Sequence, residues 1–100
     1  MVELEVNCII RAIRNGSEDE VVFLGNRSQH WCVSREVAIQ RVAVRSEAYY
    51  TVDRGTGQRS YVAVDRPEGK PPRLRTMANG SWNNDLLAQG RCGNKCKLLS

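Results

Sequence analysis

The sequence predicts a single α+β domain in which an antiparallel sheet of about five to six strands is covered on one face by one main helix. Residues 2–13 alternate between apolar and polar side chains, which is typical of a half-buried strand. Residues 35–45 carry apolar side chains at helical spacing. Residues 48–65 contain two strand-like stretches joined by a glycine-rich turn, which predicts a hairpin.

Length and composition indicate one small globular domain. The chain has 100 residues, of which 41% are hydrophobic and 26% charged. We expect the domain to span residues 1–90, followed by a loose tail at 91–100 that lacks periodic apolar spacing. No apolar run approaches the roughly 20 residues that cross a bilayer, so no membrane role is expected.

The amino-terminal stretch predicts a cytoplasmic protein. The amino-terminal stretch MVELEVN has two glutamates and no basic segment, unlike a secretory signal. In a secreted chain of this length the four cysteines would indicate two disulfides. Without a signal, free thiols are expected. The net charge of +4, mostly from arginine, permits acidic partners but does not require them.

The first strand sets the expected inner face of the sheet. Its inward row is Val2, Leu4, Val6, Cys8, Ile10 and Ala12. Ile9 and Ile13 interrupt the polar side, so either both faces become buried or a bulge shifts the register. A turn at residues 15–17, an acidic loop at 18–20 and short strands at 21–24 and 30–33 follow.

The helix is predicted from its capping and charge pattern. The Ser34 hydroxyl can cap the first turn, and Glu36 and Arg45 suit the two ends of the helix dipole. Several β-branched residues weaken helix propensity. A strand would nevertheless place Arg41 in an apolar row, so the helix is favoured.

The second half completes the sheet. Strands are expected at 48–53, 60–65 and 73–77, and Ser81 or Asn83 could cap a helical turn carrying Leu86 and Leu87. Trp82 and these leucines are expected to close the core. The predicted core cluster consists of Ile10, Phe23, Val37, Val42, Val52, Val62, Val64 and Leu74.

Several short motifs together resemble a family of small bacterial and phage proteins. They are W-x-V-S-R-E-V-A-I from Trp31, E-A-Y-Y at 47–50, Y-V-A-V at 61–64, and T-M-A-N-G…N-N-D-L-L…C from Thr76 to Cys92. Over about residues 10–92 the chain resembles the domain-of-unknown-function family numbered 3892. Members typically end in an Asp-Asn-Leu-like stretch, then Leu-Pro and Cys, whereas this chain has Asn84-Asp85-Leu86 and Gly90-Arg91 before Cys92. The resemblance implies an α+β domain with one main helix, and neither an activity nor site residues.

Strand alternation predicts a binding surface on the outer sheet face. Tyr50 and Val52 are expected inward, which places Tyr49 outward beside Tyr61, with Arg73 and Arg75 on the last strand. Tyrosine and arginine on an open face can stack bases and hold phosphates, or serve as hot spots for a protein partner. An ordinary solvated face would show the same residues, which also suit strands by propensity.

The alternative is metal or thiol chemistry. Cys92 and Cys96, with Cys32 and His30, could form a tetrahedral zinc set, although their spacings are not those of a zinc knuckle. His30 and Cys32 share one side of a strand, as a Cys–His catalytic pair would, but no orienting carboxylate accompanies them. We therefore expect a non-enzymatic module without a cofactor that binds nucleic acid or protein, and, as the alternative, a small metal-binding or thiol-dependent enzyme.

Overall fold

Two five-stranded sheets and one helix form the described part of the chain, which comprises residues 2–13, 19–93 and 97–98 of a computed structural model. Sheet A has the order β1 (Val2–Glu5), β5 (Glu47–Val52), β6 (Arg59–Asp65), β7 (Arg73–Ala78) and β8 (Ser81–Asn83). Sheet B has the order β10 (Lys97–Leu98), β4 (Trp31–Ser34), β3 (Asp19–Asn26), β2 (Cys8–Ile13) and β9 (Gly90–Arg91). The α+β class is confirmed, but the expectation of one sheet is wrong.

Most strand pairs are antiparallel. The exceptions are β1 with β5, β2 with β9 and β4 with β10, which are parallel. The predicted turn at 15–17 lies outside the described residues. No helix in the described part of the chain has the length and apolar character needed to cross a bilayer.

The predicted first strand is divided between the two sheets. Residues 2–5 pair with β5 in sheet A, whereas residues 8–13 pair with β3 in sheet B. At the corner, the Val6 N–H donates to the Tyr50 carbonyl (2.7 Å) and the Asn7 N–H donates to the Gly25 carbonyl (2.9 Å). The adjacent residues Cys8 and Ile9 are both buried, so this part of the strand is buried on both faces, which is one of the two predicted alternatives. The register of β2 against β3 also shifts between Ile10 and Arg11, but the extra residue is Val22 of β3.

Helix α1 (Arg35–Ala43) begins as predicted and ends earlier. The Val37 N–H donates to the Ser34 hydroxyl (3.3 Å), and Glu36 lies in the first turn. Arg41, rather than Arg45, is the basic residue of the last turn, because Arg45 follows the helix in a left-handed conformation (φ 59°). The helix contacts β3 and β4 of sheet B and β5, β6 and β7 of sheet A. It therefore packs between the sheets instead of covering one.

Both sheets contribute to a common core. Val62 and Leu74 are buried, and Val37, Val42 and Val64 pack against the cluster, as predicted. Ile10, Phe23 and Val52 are half-buried and do not belong to the cluster or to the residues packed against it, so their assignment to the core is wrong. The remaining buried members are Val6, Ile9, Val21, Leu24, Trp31, Val33, Ala38, Tyr49 and Leu86. Ile9 takes the place of Ile10 in the core because it pairs with the fully buried Leu24, whereas Ile10 pairs with the half-buried Phe23.

The carboxy-terminal region is joined to sheet B. Gly90–Arg91 pairs with Cys8–Ile9, and Cys92 is buried in a disulfide with Cys8. Residues 97–98 pair with β4. The expectation of a loose tail is therefore wrong for residues 91–92 and 97–98. Backbone pairing and a disulfide hold these residues in place, although the tail lacks periodic apolar spacing.

Residues 85–88 form the expected turn between β8 and β9, and the Asp85 N–H donates to the Asn83 side-chain oxygen (3.0 Å). Leu86 is 1% exposed and closes the core. Trp82 does not, because 39% of it is exposed on the outside of sheet A.

Candidate functional site on the outer face of sheet A

The inward side of β5 is opposite to the predicted one. Tyr49 and Thr51 are 0% and 1% exposed, whereas Tyr50 and Val52 are half-buried on the outside. Tyr49 therefore cannot belong to an outer binding surface, and Tyr50 takes its place. Strand alternation fixes which residues share a face but does not say which face is inward.

The buried Tyr49 hydroxyl shares a carboxylate acceptor with an arginine. It donates to Glu47 Oε2, and Arg41 Nη1 donates to the same oxygen (3.1 Å). Burial, followed by the hydrogen bond to Glu47, raises the pKa of Tyr49 above its usual value. This arrangement is a buried structural contact, not a surface for ligands.

Four large side chains form a transverse row across the outer face of sheet A. Tyr50 pairs with Tyr61, Tyr61 pairs with Met77, and Met77 pairs with Trp82. Directly paired residues on neighbouring strands point to the same side of a sheet, so the row is continuous from β5 to β8. Tyr61 and Trp82 are each 39% exposed, which leaves the row accessible to a partner.

Arginines flank the transverse row at both ends. The Arg59 guanidinium lies 4.1 Å from the centroid of the Tyr50 ring, and that of Arg75 lies 5.0 Å from the centroid of the Trp82 ring. Both distances are within the range of cation–π attraction. The rings of Tyr50 and Tyr61 also pack against each other, with centroids 5.9 Å apart. These contacts give the face a defined shape.

Carboxylates balance the arginines of this face. Arg73 Nε lies 2.9 Å and Arg75 Nη1 lies 3.6 Å from Asp65 Oδ2. At the other end, Arg59 lies 3.8 Å from Glu3 Oε1, which also accepts a hydrogen bond from the Tyr61 hydroxyl (2.8 Å). The face thus carries charged groups of both signs rather than arginines alone.

A buried polar network on the inner side of sheet A holds β8 in place. The Thr76 hydroxyl donates to Asn83 Oδ1 (2.6 Å), Asn83 Nδ2 donates to the Ser60 hydroxyl (3.1 Å), and Ser60 donates to Asp85 Oδ2 (2.6 Å). Because Trp82 is the central residue of β8, the network also fixes the outer end of the transverse row.

Three of the four residues predicted for the outer face are found there: Tyr61, Arg73 and Arg75. Sequence reasoning missed Tyr50, Arg59, Met77 and Trp82. The register of the hairpin would have identified Tyr50 and Arg59, since a strand pair places Tyr50 opposite Tyr61 and Val52 opposite Arg59. Trp82 carried no such signal, because a tryptophan followed within five residues by two leucines is more typical of a core.

The three cysteines within the described residues have structural positions. Cys8 is bonded to Cys92, and Cys32 is also disulfide-bonded, so the expectation of free thiols is wrong for these residues. A disulfide sulfur is neither a thiolate nucleophile nor a zinc ligand. His30 is exposed in the turn before β4 with φ 58°. Cys96, the last candidate ligand, lies outside the described residues, and no cluster of three or more possible metal ligands occurs within them.

The chain matches no protein-family model, no curated protein and no solved structure.

Proposed function

We propose that the chain is a non-enzymatic binding module, and that the outer face of sheet A binds a short segment of another protein. The transverse row carries this proposal. Tyrosine, tryptophan, methionine and arginine are the residues enriched in protein interfaces, and all four types meet on this face. Aromatic and arginine side chains also dominate the binding energy of such interfaces.

A protein partner suits the face better than a nucleic acid does. Single strands bind by stacking bases on open aromatic rings and by neutralising phosphates with excess cations. Here arginines already lie over the rings of Tyr50 and Trp82. The same arginines and Arg73 are close to Glu3 or Asp65, which reduces the positive charge available to phosphates.

The size of the face favours a short segment over a second copy of the chain. Four strands at a spacing of about 4.8 Å span about 14 Å, and six residues extend about 20 Å along a strand. The resulting area of about 300 Å² is far below the roughly 800 Å² that each partner buries in a standard interface. A segment of a few residues with modest affinity fits this area.

The test is selection of peptide ligands from a random displayed library, followed by binding measurements on variants. We expect the Tyr61→Ala and Trp82→Ala variants to weaken the selected peptides at least about tenfold, because truncated hot spots typically cost more than 1 kcal/mol. Both residues are partly exposed, so both variants should stay folded. Val44→Ala is the matched control, since Val44 is 67% exposed at the end of α1, away from the face.

Two parallel measurements test whether a nucleic acid or a second copy of the chain binds the face instead of a peptide. Labelled oligo(dT) and oligo(U) are titrated at 50 mM salt, a concentration that favours phosphate contacts. Sedimentation of the free protein tests for a second copy. Saturable oligonucleotide binding that Tyr61→Ala abolishes would replace the protein partner by a nucleic acid. A dimer that Trp82→Ala disrupts would replace it by a second copy. Peptides insensitive to both variants would overturn the choice of face.

The cellular compartment is a second part of the proposal. Disulfides persist in oxidising environments and are rare in reducing ones. The Cys8–Cys92 bond and the bonded Cys32 therefore favour function in an oxidising compartment over the cytoplasmic location expected from the sequence. Quantifying reactive thiols in protein from its native source tests this placement: no thiol should react before reduction.

Membership of the domain-of-unknown-function family numbered 3892 also remains a proposal. Its support is the set of short motifs between Trp31 and Cys92, together with an α+β domain that has a helix at Arg35–Ala43. An alignment of homologous chains that retained these motifs would test it. The family would add no activity to the binding role proposed above.

A further inference from the structure

A cleft of about 270 Å³ lies where the start of α1, the loop at residues 66–72, strand β7 and the segment at 84–87 meet. It is close to the smallest volume typical of small-molecule sites. Both sheets contribute to its wall, through Val21 of β3 and Leu74 of β7. It is therefore a depression in the folded domain as a whole rather than a gap in one loop.

The charged residues of the cleft wall are all cations. Arg35, Lys70, Arg73 and Arg75 line it, and no carboxylate does so among the described residues. Two carboxylates nearby pair with these arginines: Asp65 lies within 2.9 Å of Arg73, and Glu36 within 2.9 Å of Arg35. These two carboxylates offset part of the cationic charge, and neither of them pairs with Lys70.

Lys70 is the cation best placed to meet a ligand. It is exposed, and no ion pair among the described residues involves it. The side chains of Arg35 and Arg75 are only 17% and 29% exposed, so a charge bound beside them is screened less than one on an open surface. Together these groups create a local field that favours an anion.

The rest of the wall is mainly apolar. Val21 and Leu74 are almost completely buried, while Pro71 and Leu87 are exposed at the surface. Asn84 adds a side-chain amide, which can both donate and accept a hydrogen bond. A ligand that fills the cleft would therefore place an apolar body against these side chains and an anionic group against the cations.

We propose that this cleft binds an organic anion, namely a carboxylate or phosphate group on a compact apolar body. The site is separate from peptide binding to the transverse row, although Arg73 and Arg75 line both surfaces. Because Lys70 belongs to the cleft alone, it distinguishes the two sites.

The experiment is a titration of uniformly ¹⁵N-labelled protein followed by NMR. Phenyl phosphate and N-acetylphenylalanine serve as phosphate and carboxylate probes, and inorganic phosphate and phenol as probes that lack one half of the ligand. We expect saturable shifts at residues 35–36, 69–70, 73–75 and 84–87 for at least one of the two complete probes. The stronger of them identifies the anionic group, and each half-probe should bind more weakly than this stronger complete probe.

The Lys70→Met variant removes the charge while keeping the length of the side chain. We expect it to weaken the stronger probe about tenfold, as for loss of one charge-assisted hydrogen bond. Leu87→Ala should weaken the complete probe more than inorganic phosphate, because only the complete probe uses the apolar wall. Arg27→Met is the control, since Arg27 is an exposed cation in a turn outside the cleft.

The outcomes are decisive in both directions. Absence of saturable shifts with both complete probes would overturn the proposal. Equal weakening by Lys70→Met and Arg27→Met would also overturn it, because the anion would then respond only to the net charge of the protein. Loss confined to Lys70→Met, with unchanged peptide binding at the transverse row, would establish the cleft as an independent site.

Discussion

Tyr49 combines a fully buried ring with a hydroxyl whose acceptor is shared. Its ring lies 6.3 Å from that of Trp31, and its hydroxyl donates to Glu47, which Arg41 also contacts. A buried hydroxyl without a partner would cost about 1–3 kcal/mol. Glu47 removes that cost, and this explains how a tyrosine occupies a core position that a phenylalanine would fill without help.

The Tyr49→Phe variant tests this contact. We expect the free energy of unfolding to fall by about 1–2 kcal/mol, because a hydrogen bond to a charged acceptor is lost while Arg41 still pairs with Glu47. Tyr61→Phe is the matched control: it removes a hydroxyl that donates to Glu3 at the exposed surface, and it should cost little. Urea unfolding at neutral pH measures both, and equal losses would contradict the buried role of Tyr49.

The buried hydroxyl of Tyr49 should also make the free energy of unfolding depend on pH in the alkaline range. The pKa of Tyr49 is raised in the folded state, chiefly by burial, so the unfolded chain loses this proton first. The contribution of Tyr49 is therefore complete below the usual tyrosine pKa of about 10 and declines as the pH rises toward the higher folded pKa. The wild-type free energy of unfolding should fall more steeply above pH 10 than that of Tyr49→Phe. Parallel curves would contradict this origin.

Sequence reasoning failed at Tyr49 for a physical reason. The stretch Tyr49-Tyr50-Thr51-Val52 offers two alternating sets, each with one tyrosine and one β-branched residue. Either set can face the core, because tyrosine is both large and polar. The decision depends on Glu47 and Arg41, whose positions relative to Tyr49 follow from the turn after the helix and are not visible in a period-two pattern.

Among the elements, the short strand β9 depends most on a single bond. It has two residues, Gly90 and Arg91, and the Cys92 N–H donates to the Ile9 carbonyl (3.0 Å). The Cys8–Cys92 disulfide closes a loop with a sequence separation of 84 residues. A loop of this length restricts the unfolded chain strongly, and loss of such a bond typically costs about 2–5 kcal/mol.

We therefore expect the double variant Cys8→Ala/Cys92→Ala to melt well below the wild type under oxidising conditions. The control is the same pair of proteins in excess reductant, where every disulfide is open in both. The difference in melting temperature between wild type and variant should then shrink to the contribution that the two buried sulfur atoms make by packing. Thermal unfolding followed by circular dichroism measures it. A gap that persists unchanged in reductant would assign the effect to packing instead of to the covalent bond.

The elements with a local signal could be predicted, and those defined by distant pairing could not. Helix α1 has its cap, its first-turn acid and its apolar spacing within one short stretch, and it begins where predicted. The break in the first strand has no local signal, since alternation continues from Val2 through Cys8 while the pairing partner changes from β5 to β3. The pairing of β9 and β10 depends on backbone contacts that two-residue segments do not reveal in their side chains.

At the scale of the whole molecule, the two sheets form one unit. The radius of gyration is 12.9 Å, close to the roughly 13 Å typical of a compact 100-residue domain. The core draws on both sheets, and helix α1 contacts both. The class of fold followed from the alternating strand, the helical spacing and the hairpin, whereas the division into two sheets required knowledge of the corner at Val6 and Asn7.

This shared core predicts a single cooperative unfolding transition. Differential scanning calorimetry of the oxidised protein should give equal calorimetric and van't Hoff enthalpies, as for two-state domains of this size. Fluorescence of Trp31, in sheet B, and Trp82, in sheet A, supplies a local check when each is retained alone in a Trp→Phe variant. Two separate melting temperatures would show that the sheets unfold independently.

The corner at Val6 and Asn7 also has a consequence for biosynthesis. Strand β1 is synthesised before strands β2 to β10, but Val2 pairs with Glu47, so β1 has no partner until the helix and β5 have been synthesised. Strands β2, β3 and β4 can pair during that interval, because they follow one another directly. While it is unpaired, strand β1 exposes Val2 and Leu4 and can associate with other nascent chains. Glu3 and Glu5 alternate with these residues and place charges along the strand, which protects it until its partner arrives.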